Sequence, residues 1–279
     1  MKKILAFLLA LACLSLCFVG CATENNEKDT KTTEAAKTTD ATTNAATEDK
    51  EPEPKPILKM ATNAYFQPYE FYQDGKIVGI DAEIAAAIAE YLGYELVIED
   101  MEFDTILTAV KEGSVDFGMA GMTITKDRLL EVDFSNSYAT GVQSVIVKAD
   151  SPITHVDDLF ADGATYKVGV QQGTTGDIYA TDDLGADRVT PYNNANNAVL
   201  ALVGNDVDCV IIDNEPAKAL VKANAGLKIL DTSYADEDYA ICVKKGNKEL
   251  LDKINEAIVA LTKDGTIDKI VAKYIPAES

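Results

Sequence analysis

The chain has 279 residues, and its 46 Asp and Glu against 25 Lys and Arg give a formal net charge of −21 at pH 7. This acidity argues against binding to a nucleic-acid backbone or docking of a basic face on anionic lipid, since both need clustered positive charge. The chain has one histidine, His155, no tryptophan and only two arginines, Arg128 and Arg188. Any histidine-dependent metal site or catalytic triad must therefore use His155.

The first 20 residues have the pattern of a secretory signal. Two lysines precede an apolar run from Ile4 to Val19, which is shorter than the roughly 20 apolar residues that span a bilayer. The run ends in Phe18-Val19-Gly20-Cys21, which resembles a bacterial lipobox, where the cysteine is diacylated and becomes the mature N-terminus. Because two acyl chains give stable anchoring, we expect a lipoprotein on the outer face of the cell membrane. Ordinary signal cleavage with a free Cys21 is the alternative.

Residues 21–56 are predicted to be the lipidated cysteine followed by a disordered tether. Residues 22–56 contain nine acidic and five basic residues and no aromatic, Val, Leu or Ile, so no burial can offset the entropy of ordering them. The segment ends in a stiffer stretch with Pro52, Pro54 and Pro56. Residues 57–279 hold 37 acidic and 18 basic residues, a charge of −19, so the acidity belongs to the folded part.

From residue 57 onward, strand-like and helix-like patterns alternate, which predicts an α/β fold with largely parallel sheets. The first series begins with a strand, Ile57–Thr62, and a hairpin over 70–79 that turns at Asp74-Gly75. A helix follows that is capped by Asp81, is ended by Gly93 and carries Ile84, Ile88 and Leu92 on one face. The series continues with a strand Tyr94–Ile98, a helix Ile106–Glu112 and a strand Val115–Ala120.

The second series has predicted strands Gln143–Lys148, Tyr166–Val170, Val207–Ile212, Leu227–Leu230 and Tyr239–Val243, with helices near 156–160, 174–181, 196–203, 215–223, 248–261 and 267–274. Two α/β units of about a hundred residues each indicate two lobes with a cleft between them, the commonest place for a small-molecule site. Ligands of open α/β sheets meet the carboxyl ends of strands, so the residues at those ends are the candidates.

Cys13 and Cys17 leave with the signal, which leaves Cys209 and Cys242 in the folded part. An exported protein could join them in a disulfide. Because each lies inside a separate strand-like run, we favour the simpler interpretation that both are buried small hydrophobes.

After the strand that ends at Ala120, Gly121 allows close approach of the backbone to a ligand, and Thr123 offers a hydroxyl. Arg128 follows one helical turn after Thr125, and a rare arginine indicates bidentate capture of a carboxylate. An equally good alternative is that Thr125 caps a short helix and Arg128 pairs with Glu131 on the surface.

Two further strand ends carry polar groups. Gly173 and Thr174 open a helix whose free N–H groups could bind an anion, although a plain capped helix with Asp177 at its third position is individually the simpler interpretation. Asp213 could hold an ammonium group, or either it or Asn214 could cap the helix before Pro216. Taken together, an arginine, an anion site and a separate carboxylate are complementary to a zwitterion.

These features occur within a longer set of motifs that resembles the family 3 solute-binding proteins, the polar amino-acid receptors of ABC importers, and among them the glutamine-binding members. The motifs are Gln67-Pro68-Tyr69-Glu70, Gly79-Ile80-Asp81-Ala82-Glu83-Ile84, Ala120-Gly121-Met122-Thr123-Ile124-Thr125 with Arg128, Val132-Asp133-Phe134-Ser135, and Gly173-Thr174-Thr175 with Asp213. The resemblance implies the type II periplasmic-binding fold, with two α/β lobes joined by two hinge crossings. The large lobe would comprise about 57–140 with 239–279, and the small lobe about 141–238.

Carried over residue by residue, the resemblance implies that Arg128 pairs with the ligand α-carboxylate, assisted by the backbone N–H groups of Thr123 and Thr174. The Gly121 carbonyl, the Thr123 hydroxyl and Asp213 would hold the α-amino group. The remaining implied site residues are Phe66 and Phe103 on the faces of the ligand side chain, Asn63 and Gln171 at its far end, and Ala120, Thr175 and Ile212 on the wall.

Members that take basic amino acids commonly carry a carboxylate where this chain has Asn63, which disfavours lysine or arginine as ligand. Glutamine binders can place polar or charged residues where Gln171 and Ile212 stand. The predicted ligand is therefore a neutral polar amino acid, with glutamine first and asparagine or cystine next.

The predicted partners are a free amino acid, an ABC-transporter permease and the membrane through the lipid anchor alone, with no nucleic acid, no cofactor and no metal, and the expected state is a monomer. The alternatives are an enzyme on the same scaffold, such as a dehydratase, or a ligand-sensing module. An enzyme would need a general acid or base in the cleft. Asp213 is already assigned to the ammonium group, and His155 is predicted to be a solvated loop residue, so no catalytic residue is predicted.

Overall fold

The computed structural model describes residues 54–276, so the predicted signal, Cys21 and nearly all of the tether lie outside the described residues. The first part contains β1 (Ile57–Thr62), β2 (Tyr65–Phe66), β3 (Glu70–Gln73), β4 (Lys76–Val78), α1 (Ile80–Leu92), β5 (Glu95–Asp100), α2 (Phe103–Glu112), β6 (Phe117–Gly118) and α3 (Arg128–Glu131). The rest contains β7 (Val132–Lys148), a 3-10 helix (Val156–Phe160), β8 (Val168–Gln171), α4 (Thr175–Leu184), β9 (Val189–Tyr192), α5 (Ala195–Gly204), β10 (Cys209–Asp213), α6 (Asn214–Ala223), β11 (Leu227–Ile229), β12 (Ala235–Lys244), α7 (Lys248–Lys263) and α8 (Thr266–Tyr274).

Most strands join one mixed sheet with the order β5-β1-β6-β12-β7-β10-β8-β9, and β11 also pairs with β7. Strand β1 is parallel to β5 and β6, and β8 is parallel to β9 and β10. The two parallel groups are connected by β7 and β12, which are antiparallel to each other. The predicted α/β alternation is confirmed, and two long strands run between its two halves.

Helix α1 shows how the apolar pattern positions the elements. Its residues Ile84 and Ile88 are buried, as predicted, in a cluster that also contains Ile254 and Ile258 of α7. The helix ends at Gly93, whose φ of 77° is left-handed, as the sequence indicated.

The predicted cap of α1 is wrong. Gly79 occupies the cap position, and Asp81 lies inside the first turn and is fully buried. Its Oδ2 accepts the Gly121 N–H at 2.8 Å and the Tyr138 hydroxyl at 2.8 Å. Asp81 therefore connects α1 to the loop after β6 and to β7.

Two strand predictions differ from the structure. The strand predicted over Gln143–Lys148 is the last part of the 17-residue β7, because β12 pairs with β7 from Val132 to Gln143 and holds it extended through Gly141. The strand predicted over Val115–Ala120 is reduced to the two residues of β6, because only Phe117 and Gly118 pair with β1 and β12.

Cys209 and Cys242 are both free and buried, which confirms their interpretation as small core residues. His155 is half-exposed and accepts the Asp157 N–H at 3.2 Å at the start of the 3-10 helix, which confirms its place at the surface. Between residues 54 and 276, no helix has the length and apolarity needed to cross a bilayer.

Candidate functional site

A cavity lies between the two halves of the sheet, at the carboxyl ends of β1, β8 and β10. It brings together every predicted site residue except Thr123, together with three residues that were not predicted, Glu70, Gln143 and Ile211. The predicted residues that line it are Asn63, Phe66, Phe103, Ala120, Gly121, Arg128, Gln171, Thr174, Thr175, Ile212 and Asp213.

Arg128 begins the short helix α3 and is only 5 % exposed. Its guanidinium donates to the Thr123 carbonyl at 2.7 Å and to the Gly173 carbonyl at 3.0 Å, and it lies 5.5 Å from the centre of the Phe103 ring. Within residues 54–276 Arg128 forms no ion pair with a carboxylate, and Glu131 pairs with Lys111. The alternative of a surface pair between Arg128 and Glu131 is therefore wrong, and a buried cation faces the cavity.

Asp213 ends β10 at the cap position of α6, yet its side chain does not cap that helix. Its Oδ2 accepts from the Gln143 amide at 2.8 Å, and its Oδ1 accepts from the Tyr239 hydroxyl. Burial raises the pKa of Asp213 well above its ordinary value, the nearby Glu237 carboxylate raises it further, and the Tyr239 hydrogen bond opposes the rise. The capping alternative is wrong, and the carboxyl group is turned towards the cavity.

Two amide side chains meet across the cavity. Asn63 follows β1 and donates to the Met101 carbonyl at 2.8 Å, while the Gln171 amide, at the end of β8, donates to Asn63 Oδ1 at 2.9 Å. Both side chains are buried and neutral, and together they offer donors and acceptors at one end of the cavity.

The start of α4 is a capped helix, as the simpler interpretation held. The Thr174 hydroxyl accepts the Asp177 N–H at 3.3 Å, and Asp177 Oδ2 accepts the Gly173 N–H at 2.9 Å. The Thr174 N–H donates to the Gln171 carbonyl at 3.3 Å. The contact of the Thr174 N–H with a ligand carboxylate stays a prediction.

The wall beside Phe66 depends on Gly121 and on two buried acids. Gly121 has a φ of +54°, and a Cβ built on it would lie 2.7 Å from Phe66 Cε1. Behind it, Asp81 accepts the Gly121 N–H, and the neighbouring Glu70 lines the cavity. Both Glu70 oxygens and Asp81 Oδ1 are buried with no ordinary donor among the described residues. A proton on one Glu70 oxygen, donated to Asp81 Oδ1, gives a partner to one oxygen of each group.

The pKa values agree with one shared proton. Burial, followed by the charge of Asp81, raises the pKa of Glu70 well above its ordinary value. Burial also raises the pKa of Asp81 to about 6, against the hydrogen bonds from Gly121 and Tyr138 that lower it. We therefore treat Glu70 as the neutral member of the pair.

Three hydrogen bonds join the walls of the cavity, and one of them lies at its rim. They are Gln171 to Asn63 at 2.9 Å, Arg128 to the Gly173 carbonyl at 3.0 Å, and Gln172 to Asp104 at 2.7 Å. Each joins the side of the molecule that carries β1 to the side that carries β8. The walls are therefore in contact in this structure.

The residues that sequence reasoning missed reach the site through long-range pairing. Gln143 is the register partner of Asp213, although 70 positions separate them. Glu70 stands within a motif that had been noted, but its burial beside Asp81 depends on how the β3–β4 hairpin packs on α1. The one sequence signal for this role of Glu70 was an acidic residue at the first position of a predicted strand, the end that lies towards the interior.

Comparison with known proteins gives a consistent result. Residues 58–277 match the family described as bacterial extracellular solute-binding proteins, family 3. The arginine-binding extracellular protein ArtP of Bacillus subtilis (strain 168) is 30% identical over 288 residues, which cover 100% of both chains.

Two solved structures are similar over most of the chain. An ancestral arginine-binding protein bound to glutamine has a TM-score of 0.74 and 39% identity, covering 79% of this chain and 98% of that one. An ancestral amino-acid-binding protein, a precursor of cyclohexadienyl dehydratase, has a TM-score of 0.72 and 31% identity, covering 78% and 95%. With the mixed sheet described above, these likenesses confirm the predicted type II periplasmic-binding fold of two α/β lobes.

Proposed function

This chain belongs to the bacterial extracellular solute-binding proteins of family 3, and we propose that it binds a free polar L-amino acid between two closing lobes and delivers it to an ABC importer. The large lobe comprises about 57–140 with 239–279, and the small lobe about 141–238. These borders lie side by side in the β7–β12 ladder, where Thr140 pairs with Asp238. The protein is exported, anchored through a diacylated Cys21, and acts as a monomer with the permease as its partner.

The observation that carries this proposal is the pair of opposite charges in one buried cavity. Arg128 faces it without a carboxylate partner among the described residues, and Asp213 faces it from the other lobe. A zwitterion supplies the two missing partners. Charge-assisted hydrogen bonds contribute about 1.5–3 kcal/mol each. Two such ends and two aromatic faces are enough for micromolar binding, which needs about 8 kcal/mol.

The side-chain end of the cavity favours a neutral ligand. Asn63 and Gln171 carry no charge. A carboxamide group on the ligand can accept from Gln171 and donate to Asn63, and so replace the hydrogen bond between the two side chains. Glutamine is therefore the first candidate, and asparagine or cystine the next. Arginine must be compared directly, because ArtP is named as arginine-binding and the ancestral arginine-binding protein holds glutamine.

A thermal-shift panel of the free amino acids on the mature chain, residues 21–279, tests the proposal, because a ligand that binds the folded state raises its Tm. We expect the largest shift with glutamine.

Arg128→Ala and Asp213→Ala should each lower the affinity for the best ligand at least tenfold in calorimetry, since each leaves one charge of the ligand buried and unpaired. Arg188→Ala, at the chain's other arginine, is the matched control and should bind normally. Unchanged affinity in both site variants would show that the carboxylate and ammonium assignments are wrong.

An enzyme on the same scaffold is the second candidate, because Glu70 places on the cavity wall a carboxyl group whose pKa burial raises well above its ordinary value. Its proton, however, is directed to Asp81, which holds Gly121 and Tyr138 in place. We expect the bound amino acid to be recovered unchanged after incubation with the protein, as judged by mass spectrometry. An altered product that disappears in Glu70→Gln would instead identify an enzyme.

A further inference from the structure

Four side chains on three adjacent strands form a cluster behind the ammonium end of the cavity. They are Asp213 of β10, Gln143 of β7, and Glu237 and Tyr239 of β12, and we call them the hinge carboxyl cluster. The Gln143 amide donates to Asp213 Oδ2 at 2.8 Å and to Glu237 Oε2 at 2.8 Å. Gln143 therefore uses both of its N–H groups to bridge two carboxyl groups.

The two acids of the cluster are buried with too few donors for two charges. Asp213 is 7 % exposed and Glu237 is 5 % exposed. Glu237 Oε1 has no hydrogen-bond donor within the described residues. Two carboxylates that share one amide in a desolvated site repel each other, and a proton on Asp213 removes this repulsion.

The surrounding groups leave the pair without a dedicated cation. The titratable groups that face it from the packed elements are Arg128 of α3, Tyr179 of α4, Tyr239 of β12, Tyr69 before β3, and Glu70 of β3. Arg128 is the one cation among them, and its guanidinium donates to the carbonyls of Thr123 and Gly173. Burial and Glu237 both raise the pKa of Asp213.

We propose that Glu237, which Gln143 holds beside Asp213, helps to keep a proton on Asp213, and that an amino acid which binds its ammonium group at Asp213 releases this proton to solvent. The ammonium group keeps its own three protons and replaces that proton as the positive partner of Asp213. Glu237 is thus a positioning residue that couples ligand affinity to pH. This inference rests on the proposed function, since it needs an amino acid in the cavity.

The direction of the pH effect follows from proton release. As the pH falls, the proton concentration rises and the protonated fraction of Asp213 increases, so ligand affinity decreases. Linkage limits this decrease to roughly tenfold per pH unit for one released proton. The α-carboxylate and the α-ammonium of the ligand do not titrate between pH 5 and pH 7, so they do not contribute.

Calorimetry on the mature chain with L-glutamine, and with L-arginine as the second probe, counts the protons directly. The protein is titrated with ligand at pH 6.5 in phosphate and again in imidazole. The observed binding enthalpies differ by the number of protons released per ligand, multiplied by the difference between the ionisation enthalpies of the two buffers. We expect wild type to release a measurable fraction of a proton per ligand and Glu237→Gln to release clearly fewer, because the variant keeps the burial of Asp213 but lacks the neighbouring charge. Asp236→Asn, which removes the same charge from the exposed neighbour on β12, should match wild type.

The outcomes separate the inference from the function on which it rests. If wild type binds and releases no proton, or if Glu237→Gln binds and releases as many as wild type, the inference is wrong while the receptor assignment stands. A purely structural role for Glu237 would lower stability without changing the proton count. If no amino acid gives heat or a thermal shift with wild type, the proposed function itself is overturned, and the inference with it.

Discussion

Gly121 makes the aromatic wall of the cavity possible, because its backbone lies where any side chain would strike Phe66. Gly121→Ala should therefore lower stability by about 1 kcal/mol through its left-handed φ and should also weaken ligand binding severalfold by displacing the ring. Thermal unfolding and calorimetry measure the two effects.

Gly93→Ala is the matched control for Gly121→Ala. Gly93 has a similar positive φ of 77°, but nothing lies within 4 Å of a Cβ built there. It should lose similar stability and bind normally. Equal binding by both alanine variants would show that contact between Gly121 and Phe66 does not shape the site.

At the scale of single residues, the sequence indicated which side chains carry useful charges and hydrogen-bonding groups better than it indicated which residues they contact. The rarity of arginine drew attention to Arg128, and its burial supports that interpretation. The same reasoning left a surface pair with Glu131 equally possible, because sequence spacing cannot show that Lys111 of α2 lies closer to Glu131. Gln143 and Glu237 were missed for a related reason, since only strand pairing brings them to Asp213.

Among the elements, the first turn of α2 and the loop before α4 meet at the rim of the cavity. Gln172 donates to Asp104 there at 2.7 Å, and neither residue lines the cavity. Gln172→Ala should therefore speed ligand release about fivefold, because it removes roughly 1 kcal/mol from the closed arrangement. It should leave the ranking of amino acids unchanged.

Stopped-flow displacement measures the release rate of Gln172→Ala, with Gln73→Ala on the exposed β3 strand as control. Asn63→Ala provides the contrast, because Asn63 contacts Gln171 inside the cavity and its loss should change the ranking of ligands. If Gln172→Ala changes the ranking of amino acids by affinity but keeps the wild-type release rate, the Gln172–Asp104 hydrogen bond contributes to ligand recognition and does not hold the walls together.

The strands show which elements a sequence can and cannot predict. Strand β1 was predicted residue for residue because its apolar run is bounded on both sides, and the Asp74-Gly75 turn was found through its residue types. Strand β7 was only partly found, because Asn136, Ser137 and Gly141 interrupt its apolar pattern. Pairing with β12 overrides that local signal, and Gly141 is needed there because a Cβ would lie 2.3 Å from the Tyr239 hydroxyl oxygen.

On the scale of the whole molecule, two buried acid pairs, Glu70 with Asp81 and Asp213 with Glu237, lie within a chain whose folded part carries a charge of −19. A neutral zwitterion is neither strongly attracted nor repelled by that charge at long range. Inside the protein, burial raises the pKa values of Glu70, Asp81 and Asp213, and a proton on any of these groups reduces the desolvation penalty of its pair. Net charge read from the sequence therefore overstates the negative charge of the interior.

The Glu70–Asp81 pair gives a pH-dependent stability whose sign can be derived. Both folded-state pKa values are raised, that of Glu70 well above its ordinary value and that of Asp81 to about 6. The folded protein therefore holds protons that the unfolded chain loses between about pH 4 and the raised values. The contribution of this pair to the free energy of unfolding is greatest in acid and decreases as the pH rises.

Glu70→Gln removes the part of this pH dependence that comes from Glu70, because a neutral amide can donate to Asp81 at every pH. We expect the stability difference, defined as the free energy of unfolding of Glu70→Gln minus that of wild type, to rise between pH 5 and pH 8, because wild type loses the contribution of the protonated Glu70 over this range. Urea unfolding at the two pH values measures it. Glu90→Gln on the exposed face of α1 should show no such rise. A difference for Glu70→Gln that is constant with pH would mean that Glu70 is charged in the folded protein, and that no proton is shared with Asp81.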